Sequence, residues 1–475
     1  MGEFRAEKTP WKKSSSAWKM TLFNINPVAR AYCLITLGTE MLNSVFSFYY
    51  VKFFIHIYRV PEVAFYQSQI ILMIWNVLNV LTGYFHIDFK TERFLCSNLS
   101  VLYGTLLYAV AFLLPWFPWK FYEEIDWLSA LHLVVSLCAF DSTLTCVEQA
   151  QCRFFAETVT RQESHLQLIK MNHVAALVGS TSVLFCGLIS NNLEILPKFQ
   201  SVAIVIAFFA ACSLYSGMYY MRYFEPKRSS QENVFLESEQ DLTWTSVALF
   251  LRQILFQKNF FLFLIMSFLQ VFHLTFFNNF MMIFADNLIP RNVLSSSTRS
   301  IMYGAGFICP QCLVLMGQSW LKKFGYYKII LTSFYLEGVV SIVMLLLGQD
   351  YYYCLAFYLT IIKVIVQASF CLFNLPLADL IHEDLLKFNR QLSLCSMIFG
   401  IYALFTKPAQ SLAPMGVLCK LKQHEYGDPN SSTSIDHQDH IFYLVCLVPL
   451  GIAVIQILVW SPFSIRTNTD YTGTL

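Results

Sequence analysis

The chain has 475 residues, of which 56% are hydrophobic and only 13% charged, with 44 Phe and a formal net charge of +2. Ordinary soluble domains carry roughly 25% charged residues, so this composition does not fit a water-soluble globular protein. The near-neutral balance argues against nucleic acid as a partner.

Residues 1–27 form a basic tail containing Arg5, Lys8, Lys12, Lys13 and Lys19. The apolar stretch that follows, near 28–55, is too long for the core of a signal peptide and is expected to stay in the mature chain. Further apolar stretches lie near 63–85, 96–117, 127–150, 168–190 and 200–222. A hydrophilic interruption from Arg222 to about Lys258 comes next, within which Trp244 to Phe256 reads as an amphipathic helix on the inner leaflet. The second series falls near 259–285, 299–319, 326–348, 351–378, 392–417 and 441–462, before a short tail at 464–475. About 20 apolar residues cross a hydrocarbon core of about 30 Å as helix, so about twelve transmembrane helices are expected. Continuous rather than alternating apolarity selects helices over a barrel.

Six stretches on each side of a linker predict an all-α membrane protein with a major facilitator fold: bundles at 28–222 and 259–463 joined by a cytoplasmic linker at 223–258. Lys and Arg crowd the tail and the even-numbered connections, including Lys90, Arg93, Arg161, Lys227, Arg228, Lys322, Lys323 and Arg390. That bias predicts both termini in the cytoplasm. Asn430-Ser431-Ser432, an acceptor pattern for N-glycosylation, falls in the expected outside loop before the last helix. Fourteen Cys are scattered mostly through the apolar stretches and read as small apolar residues, the Cys309-Pro-Gln-Cys312 pair included.

Three charges sit deep in apolar sequence: Glu40, Asp141 and Lys407. Each costs roughly 2.5 to 3.5 kcal/mol near the bilayer centre even on a mild insertion scale, so they are expected to pair or to face an internal watery space. Other polar positions that could line that space are Asn43, Asn76 and Asn79, then Thr143 and Glu148, then Gln270, His273, Asn278 and Asn279, and finally Glu337 and Lys363. The acids of the first half and the lysines of the second half are expected to meet across the central gap, in a bridge that solute or a proton can break.

Gly38-Thr39-Glu40 with Phe48-Tyr49-Tyr50, Trp75-Asn-Val-Leu-Asn79, Asp141, Ala378-Asp379 and Phe405-Thr-Lys407-Pro resemble the glycoside-pentoside-hexuronide:cation symporters, the melibiose-permease branch of the major facilitators. Within that branch Leu269-Gln-Val-Phe-His273, Leu404-Phe-Thr-Lys-Pro-Ala-Gln410 and Phe442-Tyr-Leu-Val resemble the transmembrane protein 180 family. The resemblance implies a twelve-helix secondary transporter in which Glu40 and Asp141 match the acids that hold sugar and Lys407 matches the lysine between the cation and sugar sites. Lys170 corresponds to a basic sugar contact at the start of the fifth helix. Two departures stand out. The helix-two carboxylates that bind sodium or a proton in those symporters are Asn76 and Val80 here, and the tryptophan that stacks the sugar is Thr145. Neutral side chains offer no anionic oxygen to a hard cation, so a proton on Glu40 or Asp141, or no coupling at all, is expected instead of sodium.

The leading expectation is a transporter of a small polar organic solute, monomeric and surrounded by lipid, in the plasma membrane, with no cofactor and no metal. The alternatives are a receptor or scaffold that keeps the fold without transport, and a lysolipid transporter. No Gly-x-Ser-x-Gly, His-Glu-x-x-His, phosphate-loop or dinucleotide fingerprint points to an enzyme.

Overall fold

A computed structural model describes residues 27–84, 98–120, 122, 127–159, 165–224, 252–387, 395–423 and 433–465. Most of the linker, with the expected amphipathic helix up to residue 251, and the acceptor Asn430 lie outside the described residues.

Helices α1 (Pro27–Lys52), α2 (Glu62–Tyr84), α3 (Asn98–Leu113), α4 (Trp127–Val159), α5 (His165–Ser190) and α6 (Leu196–Phe224) make the first half. The second half holds α7 (Lys258–Leu288), α8 (Ser296–Met316), α9 (Gln318–Leu347), α10 (Tyr352–Leu372), α11 (Asn374–Lys387), α12 (Cys395–Gln423) and α13 (Thr433–Trp460). Helices α10 and α11 follow one another with a single-residue break at Phe373 and together make the tenth segment, so the described helices fall into twelve successive segments. Nine helices among the described residues are long and apolar enough to cross a membrane by length and composition. Helices α1, α3 and α12 fall outside that set, and the first and last of these carry Glu40 and Lys407.

Local chemistry explains the irregular points. Gly325 sits at φ 74° inside α9, a conformation that costs glycine little, and it separates a short leading piece from the long apolar one. Pro408 and Pro414 lie inside α12. Proline has no N–H, so the carbonyl one turn before Pro408 loses its helical donor beside Lys407, and the backbone there is loosened.

In the first half α1 packs between α5 and α6. Small residues let it come close: a Cβ on Gly38 would stand 2.6 Å from Leu214 Cγ and 2.9 Å from the Ala210 carbonyl oxygen. The halves meet through α5 against α8, α2 against α12 and α1 against α7, with a lighter contact of α4 on α12. Aromatic side chains fill much of the apolar interior: Phe46 of α1 stacks on Phe140 of α4 with centroids 3.6 Å apart, and Phe48 packs on Tyr303 and Phe307 of α8.

Candidate solute site

Asp141 and Lys407 meet across the seam between the halves. Lys407 Nζ on α12 donates to Asp141 Oδ1 on α4 at 2.9 Å, and the two side chains are 8% and 11% exposed. Lys407 Nζ also donates to Thr145 Oγ1, one turn along α4 from Asp141. The second carboxylate oxygen is served by α2, where Asn79 Nδ2 donates to Asp141 Oδ2 at 3.0 Å. The amide orientation that satisfies both partners has Asn76 donate to the same carboxylate, at 2.5 Å to Oδ2 and 3.2 Å to Oδ1. Trp75 Nε1 donates to Ser142 Oγ at 2.7 Å, which ties α2 to α4 beside the pair.

Desolvating two ions costs several kcal/mol each, and attraction offsets this only where further hydrogen bonds satisfy the charges. Asp141 receives such bonds from Asn79 and Asn76. Where the resembling symporters carry carboxylates that accept from a cation, this chain carries an amide that donates to an anion. Asn76 thereby stabilises Asp141 as an ion paired with Lys407.

Glu40 and Glu148 stand apart from this pairing. Both are partly accessible, and neither has an ion-pair or hydrogen-bond partner for its carboxylate among the described residues. Glu148 follows Asp141 by seven residues, two helical turns on the same face of α4, and lies within electrostatic reach of Lys407 and of Tyr402 on α12. Glu40 lies against α5, where a Cβ on Gly179 would come within 2.9 Å of Glu40 Cβ. It is also within electrostatic reach of Cys371 on α10. The hydroxyl of Tyr108 on α3 feels Glu148, Glu40 and Asp141 together, is fully buried, and makes no hydrogen bond. Nearby polar groups continue the lining: Gln151 Nε2 donates to Thr36 Oγ1 at 3.3 Å, Thr36 Oγ1 donates to Asn172, and His173 Nδ1 meets Gln311 Oε1 of α8 at 3.0 Å.

A second set of charges joins the halves where α1 and α7 end. Lys52 Nζ donates to Asp286 Oδ2 at 2.6 Å, and Arg299, itself 3% exposed, donates to Asp286 Oδ1 at 2.7 Å. Arg299 also donates to the Ile289 carbonyl at 2.6 Å. Asn192 Nδ2 donates to the Ser296 carbonyl at 2.9 Å, and Arg291 to Glu194 at 2.8 Å. A cavity of about 300 Å³ is lined by these groups and His56. Burial and then the Lys52 ammonium push the His56 imidazole below its ordinary range.

Of the positions singled out in the sequence, Asp141, Lys407, Asn76, Asn79 and Thr145 come together in one cluster, with Glu40 in the electrostatic neighbourhood of Tyr108 that Asp141 shares. His273 lies elsewhere, fully buried in the second half, with Nδ1 3.1 Å from Glu337 Oε1. That approach does not align as a hydrogen bond. Lys363 is fully buried with Nζ 3.5 Å from the Phe307 ring centroid and 4.7 Å from that of Phe48, and makes no hydrogen bond. The Asn278 amide oxygen is buried without a partner, and Lys170 is exposed at the start of α5 with no ion pair to the cluster. Sequence reasoning did not single out Tyr108 or the Lys52, Asp286 and Arg299 group. The spacing of Asp141, Thr145 and Glu148 at i, i+4 and i+7 was the available signal for one polar face on α4.

Residues 31–466 match the family described as MFS/sugar transport protein. The chain is 27% identical to transmembrane protein 180 of Gallus gallus and 25% identical to that of Mus musculus, over 94% and 95% of its length and 94% of each relative. Among solved structures it is similar to the nucleoside transporter NupG, with a TM-score of 0.57 at 12% identity over 92% of this chain and 98% of that one. It is also similar to a bacterial homologue of the iron transporter ferroportin in an outward-facing state, with a TM-score of 0.58 at 13% identity over 92% of this chain and 100% of that one. At such identities the two structures bear on the fold alone.

Proposed function

The chain belongs to the MFS/sugar transport protein family, a family of multi-pass membrane transporters, and from that premise we propose that it carries a small polar organic solute by alternating access, with a proton as the coupling ion. The observation that carries this reading is the Lys407–Asp141 bridge, which joins the two halves through a breakable ion pair at mid-helix. Bundles that rock around a central site need contacts that are strong in one arrangement and absent in the other. A bridge between α4 and α12 meets that need at mid-chain depth, and the Lys52, Asp286 and Arg299 group meets it at the helix ends. On the orientation expected from Lys and Arg, those ends face outward, so opening to the outside requires Lys52 to leave Asp286 and Arg291 to leave Glu194.

Sodium coupling of the melibiose-permease kind finds no support in α2. Asn76 is committed to Asp141 as a donor, and Val80 has no oxygen to offer. Asp141 is already paired with Lys407, which leaves Glu40 and Glu148 as the carboxylates for a transported proton. Transport is tested in cells or proteoliposomes with a solute selected by thermal-shift screening of sugars, amino acids and nucleosides at several pH values. Uptake is expected to disappear in Asp141→Asn and in Lys407→Ala while surface expression persists. If both variants move solute like the parent, the assignment of the site is wrong.

A further inference from the structure

The helix-end cavity holds donors that its own acids do not use. Its walls come from both halves, the end of α1 and the turn between α5 and α6 on one side, the end of α7 and the start of α8 on the other. Both of its acids are engaged on both oxygens. Asp286 accepts from Lys52 on Oδ2 and from Arg299 on Oδ1, and Glu194 accepts from Arg291 on Oε1 and from Asn191 on Oε2. Among the described residues the Lys52 ammonium gives these acids one of its three N–H groups, and the Arg291 guanidinium one of its five. Arg299 adds a charge fixed in the wall, its guanidinium held by the Leu294, Ala285 and Ile289 carbonyls as well as by Asp286. Three cations thus face two acids, and α8 adds the positive end of its dipole at Ser296.

The turn that supplies the first half's wall has an unusual shape. Asn191, Asn192 and Leu193 follow one another at φ 54°, 57° and 74°, a region that asparagine enters readily and leucine does not. Hydrogen bonds of Asn192 across the seam, to Ser296 and from Ser300, hold the turn there. Leu193 thereby joins Ile57 and Leu294 on the cavity wall, apolar surface for a carbon body beside the charged donors. At about 300 Å³ the space is at the low end of small-molecule sites, equal to the liquid volume of about ten waters. An ammonium ion placed here would meet three cations and no uncommitted acid oxygen. A carboxylate or phosphate would meet the spare donors of Lys52 and Arg291 in a wall of net positive charge. We propose that this cavity is a binding site for a small organic anion, a carboxylate or phosphate compound, held between Lys52 of the first half and Arg291 of the second. It is separate from the Asp141 cluster, none of whose residues line it. On the transport reading above, an anion there ties the helix ends together, favours the arrangement closed at that face and slows solute entry from it.

The test uses the purified full-length protein at a constant ionic strength set by sodium chloride. The probes are sodium acetate, succinate and methylphosphonate, run beside acetamide, succinamide and ethylammonium chloride as neutral and cationic counterparts. Thermal unfolding is expected to move upward, and to saturate, with at least one of the anions and with none of the counterparts. In Arg291→Gln and in Lys52→Gln the concentration for half the shift should rise roughly fivefold or more. Glu194→Gln releases Arg291 from its acid, so that concentration should fall roughly threefold or more, a gain that lost stability alone does not produce. Nanodiscs of phosphatidylcholine with and without phosphatidylglycerol separate the two sources of such a group. A soluble ligand acts alike in both, whereas a lipid headgroup raises stability only with phosphatidylglycerol and only while Arg291 is present. The parent alone can overturn the proposal: no saturable response to any anion or to phosphatidylglycerol sinks it, and so does an equal response to the counterparts. An anion response that is the same in all three variants as in the parent also overturns it. The readout is binding and needs no transport. Uptake indifferent to Asp141 and Lys407 would remove the solute site and leave this one, and an absent anion response would do the reverse.

Discussion

Replacing Lys407 by Met removes the ammonium while keeping most of the side-chain volume. Truncating one partner of a buried ion pair costs about 3–5 kcal/mol, because the other charge is left behind without its counter-ion. Here Asp141 keeps the Asn79 donor at 3.0 Å and the Asn76 donors, each a charge-assisted contact. The loss should therefore fall near the low end, about 3 kcal/mol, equivalent to roughly 100-fold in an equilibrium constant. Asp141→Asn leaves Lys407 with Thr145 and an amide in place of a carboxylate, and should cost a similar amount. Asp141→Asn combined with Lys407→Met leaves no charge at the bridge and should lie within about 1 kcal/mol of the parent, which gives a coupling energy of about 5 kcal/mol. SDS-induced unfolding in mixed micelles measures the cycle. Single effects that add to within about 0.5 kcal/mol would refute the bridge as an energetic link between α4 and α12.

The helix-end charges make a contrasting pair of predictions. Asp286 serves Lys52 and the buried Arg299, so Asp286→Ala should lower stability by about 3 kcal/mol. Glu194→Ala breaks a pair that is 75% and 42% exposed and should cost less than about 1 kcal/mol in the same unfolding assay. Asn76→Asp places a second carboxyl within about 3 Å of Asp141. Two carboxyls that close hold on to a shared proton, so the folded state binds more protons than the unfolded chain. The destabilisation should be largest near about pH 8 and fade toward about pH 5, as thermal unfolding across a pH series will read out. Lys363→Met removes a buried nitrogen with no hydrogen bond and leaves the stem packed on Gly306, Phe307 and Phe48. Stability should change by less than about 1 kcal/mol, the lost contact with the two rings being offset by removal of a buried polar group that has no partner.

The spans were legible because about 20 continuous apolar residues leave few alternatives to a crossing helix. The stretch expected at 326–348 coincides with the part of α9 that follows Gly325, and the tenth stretch divides where Phe373 breaks α10 from α11. Asp141 and Lys407 were legible as members of a set of deep charges for an energetic reason: neither lies close enough to an interface to reach water, so acids of the first half and lysines of the second were expected to meet, without a choice between Glu40 and Asp141 as the partner. Asn76 was found as a polar position inside an apolar stretch and Thr145 through the resemblance, but their roles were not. That an amide at 76 turns its donor toward Asp141 follows only from the crossing of α2 and α4. Lys363 could not be placed from sequence, since the two rings that enclose it come from α1 and α8. Asp286 and Arg299 escaped notice because charges near helix ends ordinarily reach water, and nothing local signals that Arg299 is covered and turned onto Asp286. Tyr108 was hidden among 25 tyrosines, most of which read as packing or interfacial anchors.

The claim at the centre of this account is that the Asp141–Lys407 bridge lies in a seam that opens to water on alternate sides. Thr145→Cys, in a background with the native cysteines replaced, puts a thiol one turn from Asp141, and membrane-impermeant reagents can be applied from either face. Labelling should be detectable from both faces, and Lys407→Met should change the ratio between them at least several-fold. A thiol that stays unlabelled from both faces, with and without Lys407, would contradict the account.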